Sequence, residues 1–209
     1  MILEQVLPQE IEKRSFEIIE SELKHPLDPE LAPIIKRVIH TSADFDYAEN
    51  LYFSKDVLKI AQDALRKGAT IVTDTNMGLS GINKPALKRL GCKAVCFISD
   101  EDVAKSAREN GTTRAAASME KAAGIPGPVI FAIGNAPTAL VKIDELRKQG
   151  KLNPALIIAV PVGFVNVVQA KELIVESGAD CIVARGRKGG SNVAAAIVNA
   201  LMYTLGRES

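Results

Sequence analysis

The stretch that decides the fold class is Val129-Ile130-Phe131-Ala132-Ile133-Gly134-Asn135-Ala136-Pro137-Thr138, beyond the middle of the chain. Its first four residues form a short apolar run, which is typical of a buried β-strand. Gly134 to Pro137 are typical of a turn, and Thr138 to Gln149 follow as an amphipathic segment. A strand, a tight turn and a helix in this order predict one unit of a parallel β-sheet.

The same unit recurs on both sides of this stretch, which is the rhythm of βαβ crossovers. Strands are predicted at Ala69 to Thr73, Ala94 to Ile98, Val129 to Ala132, Ala155 to Val160 and Cys181 to Ala184, and Phe45 to Phe53 is a candidate for one more. Helices are predicted at Glu10 to Leu23, Leu31 to Ile39, Lys55 to Lys67, Gly81 to Leu90, Arg114 to Ala123, Thr138 to Gln149, Val167 to Ser177 and Ser191 to Leu205. We therefore expect an α/β fold with one domain over residues 1–209. Its sheet is mostly parallel with helices on both faces, as in a Rossmann-like three-layer sandwich.

Length and composition exclude several classes of protein. The 209 residues carry a formal net charge of +1, which gives no general attraction to nucleic acid or to an anionic membrane. No apolar run approaches the roughly 20 residues that span a bilayer, and the N-terminus does not have the pattern of a signal peptide. The three cysteines lack the paired spacing of a zinc site. We expect a cytoplasmic protein with no metal site and no nucleic-acid or membrane partner.

The loops that follow the predicted strands hold the candidate binding residues, because ligands of such sheets bind beyond the carboxyl ends of the strands. The last loop places Arg185, Arg187 and three glycines before a helix that begins near Ser191. Arginine side chains and glycine N–H groups at a helix N-terminus suit a carboxylate or phosphate, although a solvated basic turn is an alternative. Asn135 follows another strand, where ordinary turn chemistry explains it equally well. The spacing matches neither of the usual nucleotide-binding glycine motifs.

His40 is the first candidate for proton chemistry. It lies at the end of a predicted amphipathic helix, between Arg37 and a polar loop with two carboxylates. Histidine is the only side chain whose ordinary pKa lies near neutrality, so it can give or take a proton at physiological pH. A histidine that only caps helix carbonyls is the alternative. The site therefore combines one histidine with arginines and backbone donors, which suits a polyanionic organic molecule.

Taken together, these segments closely resemble the precorrin-8X methylmutase family over nearly the whole chain. The segments that carry the resemblance are Arg14-Ser15-Phe16-Glu17-Ile18-Ile19, Arg37-Val38-Ile39-His40-Thr41-Ser42-Ala43-Asp44, Asp74-Thr75-Asn76-Met77, Thr113-Arg114-Ala115-Ala116, Ala132-Ile133-Gly134-Asn135-Ala136-Pro137, Pro161-Val162-Gly163-Phe164-Val165 and Arg185-Gly186-Arg187-Lys188-Gly189-Gly190-Ser191. Each segment is modest, and their joint order is specific.

The resemblance implies an isomerase of cobalamin biosynthesis that moves a methyl group from C11 to C12 of the corrin ring. It implies a homodimer and no separate cofactor, since any cobalt arrives inside the corrinoid substrate. His40 matches the family's proton donor or acceptor. The resemblance also implies that Ser15, Arg37 and Arg114 bind the substrate, which carries many carboxylates. Further candidates for substrate binding are Thr41, Ser42, Asn135, Arg185, Arg187 and Ser191.

Two other functions remain open at this point. The first is a methyltransferase of the same pathway that uses S-adenosylmethionine, although no convincing cofactor pattern follows the first strand. The second is a corrinoid-binding protein without catalytic activity. The stretch after His40 looks more like the cobalt-containing branch of the family, so we expect cobalt-precorrin-8 as substrate and precorrin-8X as the metal-free alternative.

Overall fold

A computed structural model describes residues 4–206, which build one six-stranded sheet in the order β1-β6-β5-β4-β2-β3. The strands are β1 (Leu51–Phe53), β2 (Thr70–Thr73), β3 (Lys93–Cys96), β4 (Val129–Ile133), β5 (Leu156–Ala159) and β6 (Cys181–Ala184). The helices are α1 (Ile11–Glu22), α2 (Ala32–Ser42), α3 (Tyr47–Asn50), α4 (Val57–Arg66), α5 (Asn76–Gly81), α6 (Lys84–Arg89), α7 (Glu101–Glu109), α8 (Arg114–Ala122), α9 (Pro137–Lys148), α10 (Val167–Glu176) and α11 (Ser191–Tyr203). A short 3-10 helix, Pro8–Glu10, precedes α1.

The strands of the central sheet are buried on both faces. Successive side chains of a strand point to opposite faces, and a layer of helices covers each face. In β4, Ile130 and Ala132 face the layer that contains α2, α4 and α11. Phe131 and Ile133 face the opposite layer, which contains α8, α9 and α10. All four are almost fully buried. The three-layer α/β fold that the sequence predicts is confirmed.

Strand order determines where ligands can enter. The pairs β3–β2, β2–β4, β4–β5 and β5–β6 are all parallel, and the chain reverses its direction of progress across the sheet between β2 and β4. A crevice opens at such a switch point, beyond the carboxyl ends of the strands. The loops after β2, β4 and β6 lie along this edge.

The predicted strand Phe45 to Phe53 is wrong over most of its length. Tyr47–Asn50 form one helical turn, and only Leu51–Phe53 are extended. This strand β1 is antiparallel to β6, with Leu51 opposite Ala184, and the N–H of Arg185 donates to the carbonyl of Asn50 at 2.8 Å. The antiparallel pairing brings the segment before β1 to the same edge of the sheet as the carboxyl end of β6.

The helix predicted at Gly81 to Leu90 is also wrong in part. The chain is extended at Ile82 and Asn83, where α5 has ended and α6 has not begun. The side chain of Asn83 accepts the N–H of Ala86 at 2.9 Å, so it caps a new helix that has proline in its first turn.

Helix α7 has no counterpart in the prediction. Only Val103 and Ala107 are buried on it, so its apolar pattern is too sparse to stand out in the sequence.

Candidate functional site

Asp74, directly after β2, organises the crevice between β2 and β4. Its side chain is 2% exposed, and its two carboxylate oxygens accept the backbone N–H groups of Gly134, Asn135 and Ala136 at 2.7 to 2.9 Å. Burial raises the pKa of this carboxyl, and the three N–H donors oppose the rise. The loop after β4 is thereby fixed to the end of β2.

The start of α11 packs against the same loop with almost no free space. A Cβ on Gly134 would lie 2.6 Å from the Cα of Ser191, so only glycine allows this approach. The hydroxyl of Ser191 lies 2.7 Å from that of Thr75, which caps α5 by accepting the N–H of Gly78 at 3.0 Å. The loop after β2, the loop after β4 and the N-terminus of α11 therefore meet at one point.

The loop between β6 and α11, residues 185–190, is held by main-chain contacts to the loop after β5. The N–H of Gly190 donates to the carbonyl of Val160 at 2.9 Å, and the N–H of Gly163 donates to the carbonyl of Arg187 at 3.1 Å. Gly186, Gly189 and Gly190 have positive φ values of 76°, 158° and 145°. These conformations favour glycine, so the glycine-rich sequence is required by the path of the loop.

The two arginines of this loop point in different directions. The guanidinium of Arg185 lies 3.6 Å from Glu172 and 5.1 Å from the centre of the Tyr52 ring, on the side of the sheet that α10 covers. The guanidinium of Arg187 lies 5.4 Å from the centre of the Phe164 ring, and Phe164 is 81% exposed. Both arginines are exposed, and they differ in their contacts, since Arg185 has a carboxylate partner and Arg187 lies over an exposed ring.

Arg114 and Asn135 lie at neighbouring helix starts. Thr113 caps α8 by accepting the N–H of Ala116 at 3.1 Å, and its hydroxyl lies 2.9 Å from the hydroxyl of Thr138 in the first turn of α9. This contact brings the first turn of α8, where Arg114 is exposed, beside the turn that carries Asn135. The sequence prediction of a helix that begins at Arg114 is confirmed.

Lys188 connects the loop 185–190 to the segment that follows α2. Its ammonium lies 2.7 Å from Asp44 and 2.6 Å from Asp46. The hydrogen bond from Lys188 lowers the pKa of the Asp44 carboxyl, and the two carboxylates raise the pKa of Lys188 above its usual value. The end of α2 is thereby held next to the carboxyl edge of β6.

His40 lies in the last turn of α2 and is exposed. Its ring meets the ring of Phe16 edge-on, with 5.7 Å between the centres. Thr41 beside it is also exposed, whereas the hydroxyl of Ser42 donates to the carbonyl of Val38 at 2.7 Å. The helix ends at Ala43, whose left-handed conformation (φ 53°) turns the chain towards Asp44. His40 is thus supported on one side and open on the other.

Arg37 and Ser15 contact the protein itself. The two terminal guanidinium nitrogens of Arg37, Nη1 and Nη2, donate to the Glu12 carboxylate at 2.9 Å, and the guanidinium lies 4.9 Å and 5.3 Å from the ring centres of Phe16 and Tyr203. The hydroxyl of Ser15 donates to the carbonyl of Ile11 at 2.8 Å within α1. These contacts fix α1 and the end of α11 to α2, one helical turn from His40.

The candidate residues therefore form two groups. The carboxyl edge of the sheet holds Arg114, Asn135, Arg185, Arg187 and Ser191, and the α1–α2 pair holds Ser15, Arg37, His40, Thr41 and Ser42. Lys188 links the two groups through its ion pairs with Asp44 and Asp46.

Asp74 and Lys171 organise this edge and were not selected from the sequence. Lys171 is buried in α10, and its pKa is lowered to about 8 by that burial. The sequence does contain a pattern that could have identified Lys171. It shares the inward helical spacing with Val167, Ala170 and Ile174, and packing alone does not explain a lysine among apolar residues.

The described part of the chain shows neither a group of metal-binding side chains nor a membrane-spanning helix. Over residues 4–206, no group of three or more His, Cys, Asp or Glu side chains is arranged to hold a metal ion. Within the same residues, none of the helices has the length and apolar character needed to cross a bilayer.

Comparison with known proteins gives one consistent family. The family model described as precorrin-8X methylmutase matches residues 10–204. A cobalt-precorrin-8 methylmutase of Salmonella typhimurium is 45% identical over 95% of this chain and 96% of its own length. One of Priestia megaterium is 43% identical over 94% of this chain and 88% of its own. The crystal structure of a precorrin-8X methylmutase from Thermus thermophilus superimposes with a TM-score of 0.84 at 36% identity, covering 92% of this chain and 96% of that one.

Proposed function

This chain belongs to the precorrin-8X methylmutase family and is an isomerase of cobalamin biosynthesis, and we propose that His40 assists its migration of a methyl group from C11 to C12 of the corrin ring. The observation that carries the proposal is the position of His40, which is exposed at the end of α2 beside the carboxyl edge of the sheet. A ring placed over this edge can contact His40 and the backbone donors together.

The reaction requires the protein to bind the substrate and to supply one proton or hydrogen bond. Methyl migration within one molecule needs no methyl donor, and protonation or hydrogen bonding at the macrocycle assists it as the conjugation changes. We assign that step to His40, which gives the proton or hydrogen bond and recovers it when the product forms. No separate cofactor takes part in this proposal.

The substrate carboxylates account for the remaining polar groups. Acetate and propionate arms around the ring would bind Arg187 and Arg114, which are exposed, and the N–H groups of the loop after β6. Asn135 and Ser191 are smaller donors at the same edge, and Thr41 is one at the end of α2. Ser15, Ser42, Arg37 and Arg185 are already engaged within the protein, and we propose that they contribute by holding the helices and the loop that carry the contacts.

We propose cobalt-precorrin-8 as the preferred substrate, with cobalt carried inside it. Two relatives with this name are 45% and 43% identical to the chain, whereas the relative of known structure that is named for precorrin-8X is 36% identical. Parallel turnover of cobalt-precorrin-8 and precorrin-8X tests this choice. A kcat/KM that favours the metal-free compound would reverse it.

We also propose a homodimer. Met77, Phe164 and Val165 lie at the carboxyl edge of the sheet and are 71%, 81% and 78% exposed, which is unusual for large apolar side chains. Light scattering in solution measures the mass directly, and a monomer at micromolar concentration would contradict the dimer.

The two histidines provide a matched test of the reaction. His40→Ala is expected to fold and to bind product, but to lose about 10²- to 10⁴-fold in kcat, which is the usual contribution of a general acid. His25→Ala alters the other histidine, which is exposed in the loop between α1 and α2, and should keep wild-type turnover. Both rates are followed anaerobically by the change in visible absorption. Equal kcat for both variants would remove His40 from the mechanism.

The same assay separates the alternative functions. A methyltransferase would convert a corrinoid only when S-adenosylmethionine is added, whereas the isomerase needs none. A corrinoid-binding protein without activity would bind substrate and product without converting one into the other at any protein concentration.

A further inference from the structure

Lys171 is a buried cation whose acceptors, among residues 4–206, are two peptide carbonyls. Its side chain is fully buried in α10, and its ammonium donates to the carbonyls of Gly186 and Lys188 at 2.8 and 2.7 Å. Among residues 4–206 no carboxylate pairs with it, since the neighbouring Glu172 pairs with Arg185 and the side chain of Lys188 turns to Asp44 and Asp46. The partner of Lys171 is therefore the backbone of the loop 185–190.

These two bonds determine which way the loop presents its donors. In a trans peptide the C=O and N–H groups point in opposite directions, and no peptide in the described chain is cis. Because the carbonyls of Gly186 and Lys188 point inward to the ammonium, the N–H groups of Arg187 and Gly189 point away from it. Within the described residues, neither of these N–H groups has a protein acceptor.

A buried ammonium is expensive to keep at this place. Burial lowers the pKa of Lys171 to about 8, so the folded protein opposes the charge that the loop carbonyls stabilise. An apolar residue at this position would complete the inward face of α10 at no such cost. What the buried ammonium provides is the orientation of the loop, because its two hydrogen bonds fix the carbonyls of Gly186 and Lys188.

We propose that Lys171 is a positioning residue that orients the N–H groups of Arg187 and Gly189 as a backbone site for one carboxylate of the corrinoid substrate. The inference rests on the proposed function for the identity of the ligand. The two N–H groups lie on either side of Lys188 in the chain, and Arg187 adds its side chain to the same site. Lys171 acts through the loop and does not touch the substrate.

The test compares Lys171→Met with Lys142→Met. Methionine has a similar length but cannot donate. Lys142 lies in the middle of α9 with a partly buried side chain, and it pairs with Glu120 of α8 and Glu145 of α9. The probe is hydrogenobyrinate, the product formed from the metal-free substrate precorrin-8X. We expect Lys171→Met to raise KM and the Kd for hydrogenobyrinate about tenfold or more, the usual effect of losing a hydrogen bond to a charged group, with a smaller change in kcat. Lys142→Met should keep both constants. Lys171→Arg keeps the charge and the donors and should recover part of the affinity.

Wild-type affinity in a folded Lys171→Met protein would overturn the proposal. If that variant does not fold, hydrogen exchange in the unaltered protein decides, because bound hydrogenobyrinate should slow exchange at the Arg187 and Gly189 amides. Unchanged exchange there, with product bound, would also overturn it. Failure of the proposed function is distinct, since the unaltered enzyme would then not convert a corrinoid at all.

Discussion

The carboxyl edge of the sheet and the last turn of α2 are built in opposite ways. At the edge, two buried charges of opposite sign hold the backbone in place. Asp74 accepts three N–H groups, and Lys171 donates to two carbonyls. At the end of α2, His40 is exposed, and its side chain contacts the ring of Phe16.

This difference separates two tasks. Binding carboxylates benefits from donors that are already oriented, because no ordering cost remains when the ligand arrives. A residue that gives and recovers a proton must reach the ligand, so it needs access more than it needs fixed partners. We therefore expect substitutions at the edge to change stability and affinity, and substitution of His40 to change mainly the rate.

The largest effect is expected from Gly134→Ala. The new Cβ would lie 2.6 Å from the Cα and 2.7 Å from the N of Ser191, so the loop after β4 and the start of α11 must separate. Overpacking against backbone should lower the free energy of unfolding by about 3 kcal/mol or more, as measured by urea denaturation.

Gly124→Ala is the matched control for this change. Its added Cβ would have its nearest contact at 3.6 Å, from the carbonyl of Lys121, and it lies outside the crevice. It should alter the free energy of unfolding by less than about 0.5 kcal/mol. Similar losses for both variants would mean that the crevice is less tightly packed than its geometry indicates.

The pH dependence of stability tests the buried charge at Lys171. Its pKa is about 8 in the folded protein, against an ordinary value of 10.5. Between these values the unfolded chain holds a proton that the folded chain has released, so stability rises with pH. Relative to Lys171→Met, the unfolding free energy of the wild type should increase by about 2 to 3 kcal/mol from below pH 8 to above pH 10. A difference that does not vary with pH would show that the ammonium is not destabilised by burial.

A smaller effect should distinguish two of the four candidate arginines, Arg37 and Arg114. Arg37 is fixed to Glu12 and lies near two rings, so Arg37→Ala should cost about 1 to 2 kcal/mol of unfolding free energy. Arg114 is exposed, so Arg114→Ala should leave stability within about 0.5 kcal/mol. In corrinoid titrations, Arg114→Ala should weaken binding. Equal stability for the two variants, with a larger binding loss for Arg37→Ala, would reverse these roles.

The layers of the fold could be predicted from the sequence, because strands such as Val129–Ile133 and helices such as α11 have strong apolar patterns. It was misleading where a single capping residue changes the path, as Asn83 does before α6. The strand prediction from Phe45 failed because a helical turn and a short antiparallel strand share an apolar run.

The candidate site could be predicted only in part. Glycines and arginines after a strand indicate an anion loop, and their position at the edge is confirmed. The contacts of Asp74 and Lys171 depend on pairing between distant segments, which no local pattern contains. The ion pair between Arg37 and Glu12 is hidden for the same reason, since it joins two helices across an intervening loop.

The antiparallel pairing of β1 with β6 has a consequence for the order of folding. Leu51–Phe53 pair with Ile182–Ala184, and α2 packs against α11, so the first quarter of the chain meets its partners in the last. Contacts so distant in sequence form slowly, because a long loop must close before they contribute. During synthesis the parallel core from β2 to β5 can assemble first, while the segment that bears His40 waits for β6 and α11 to leave the ribosome. The segment that bears His40 is therefore completed after the parallel core, although it is translated before it.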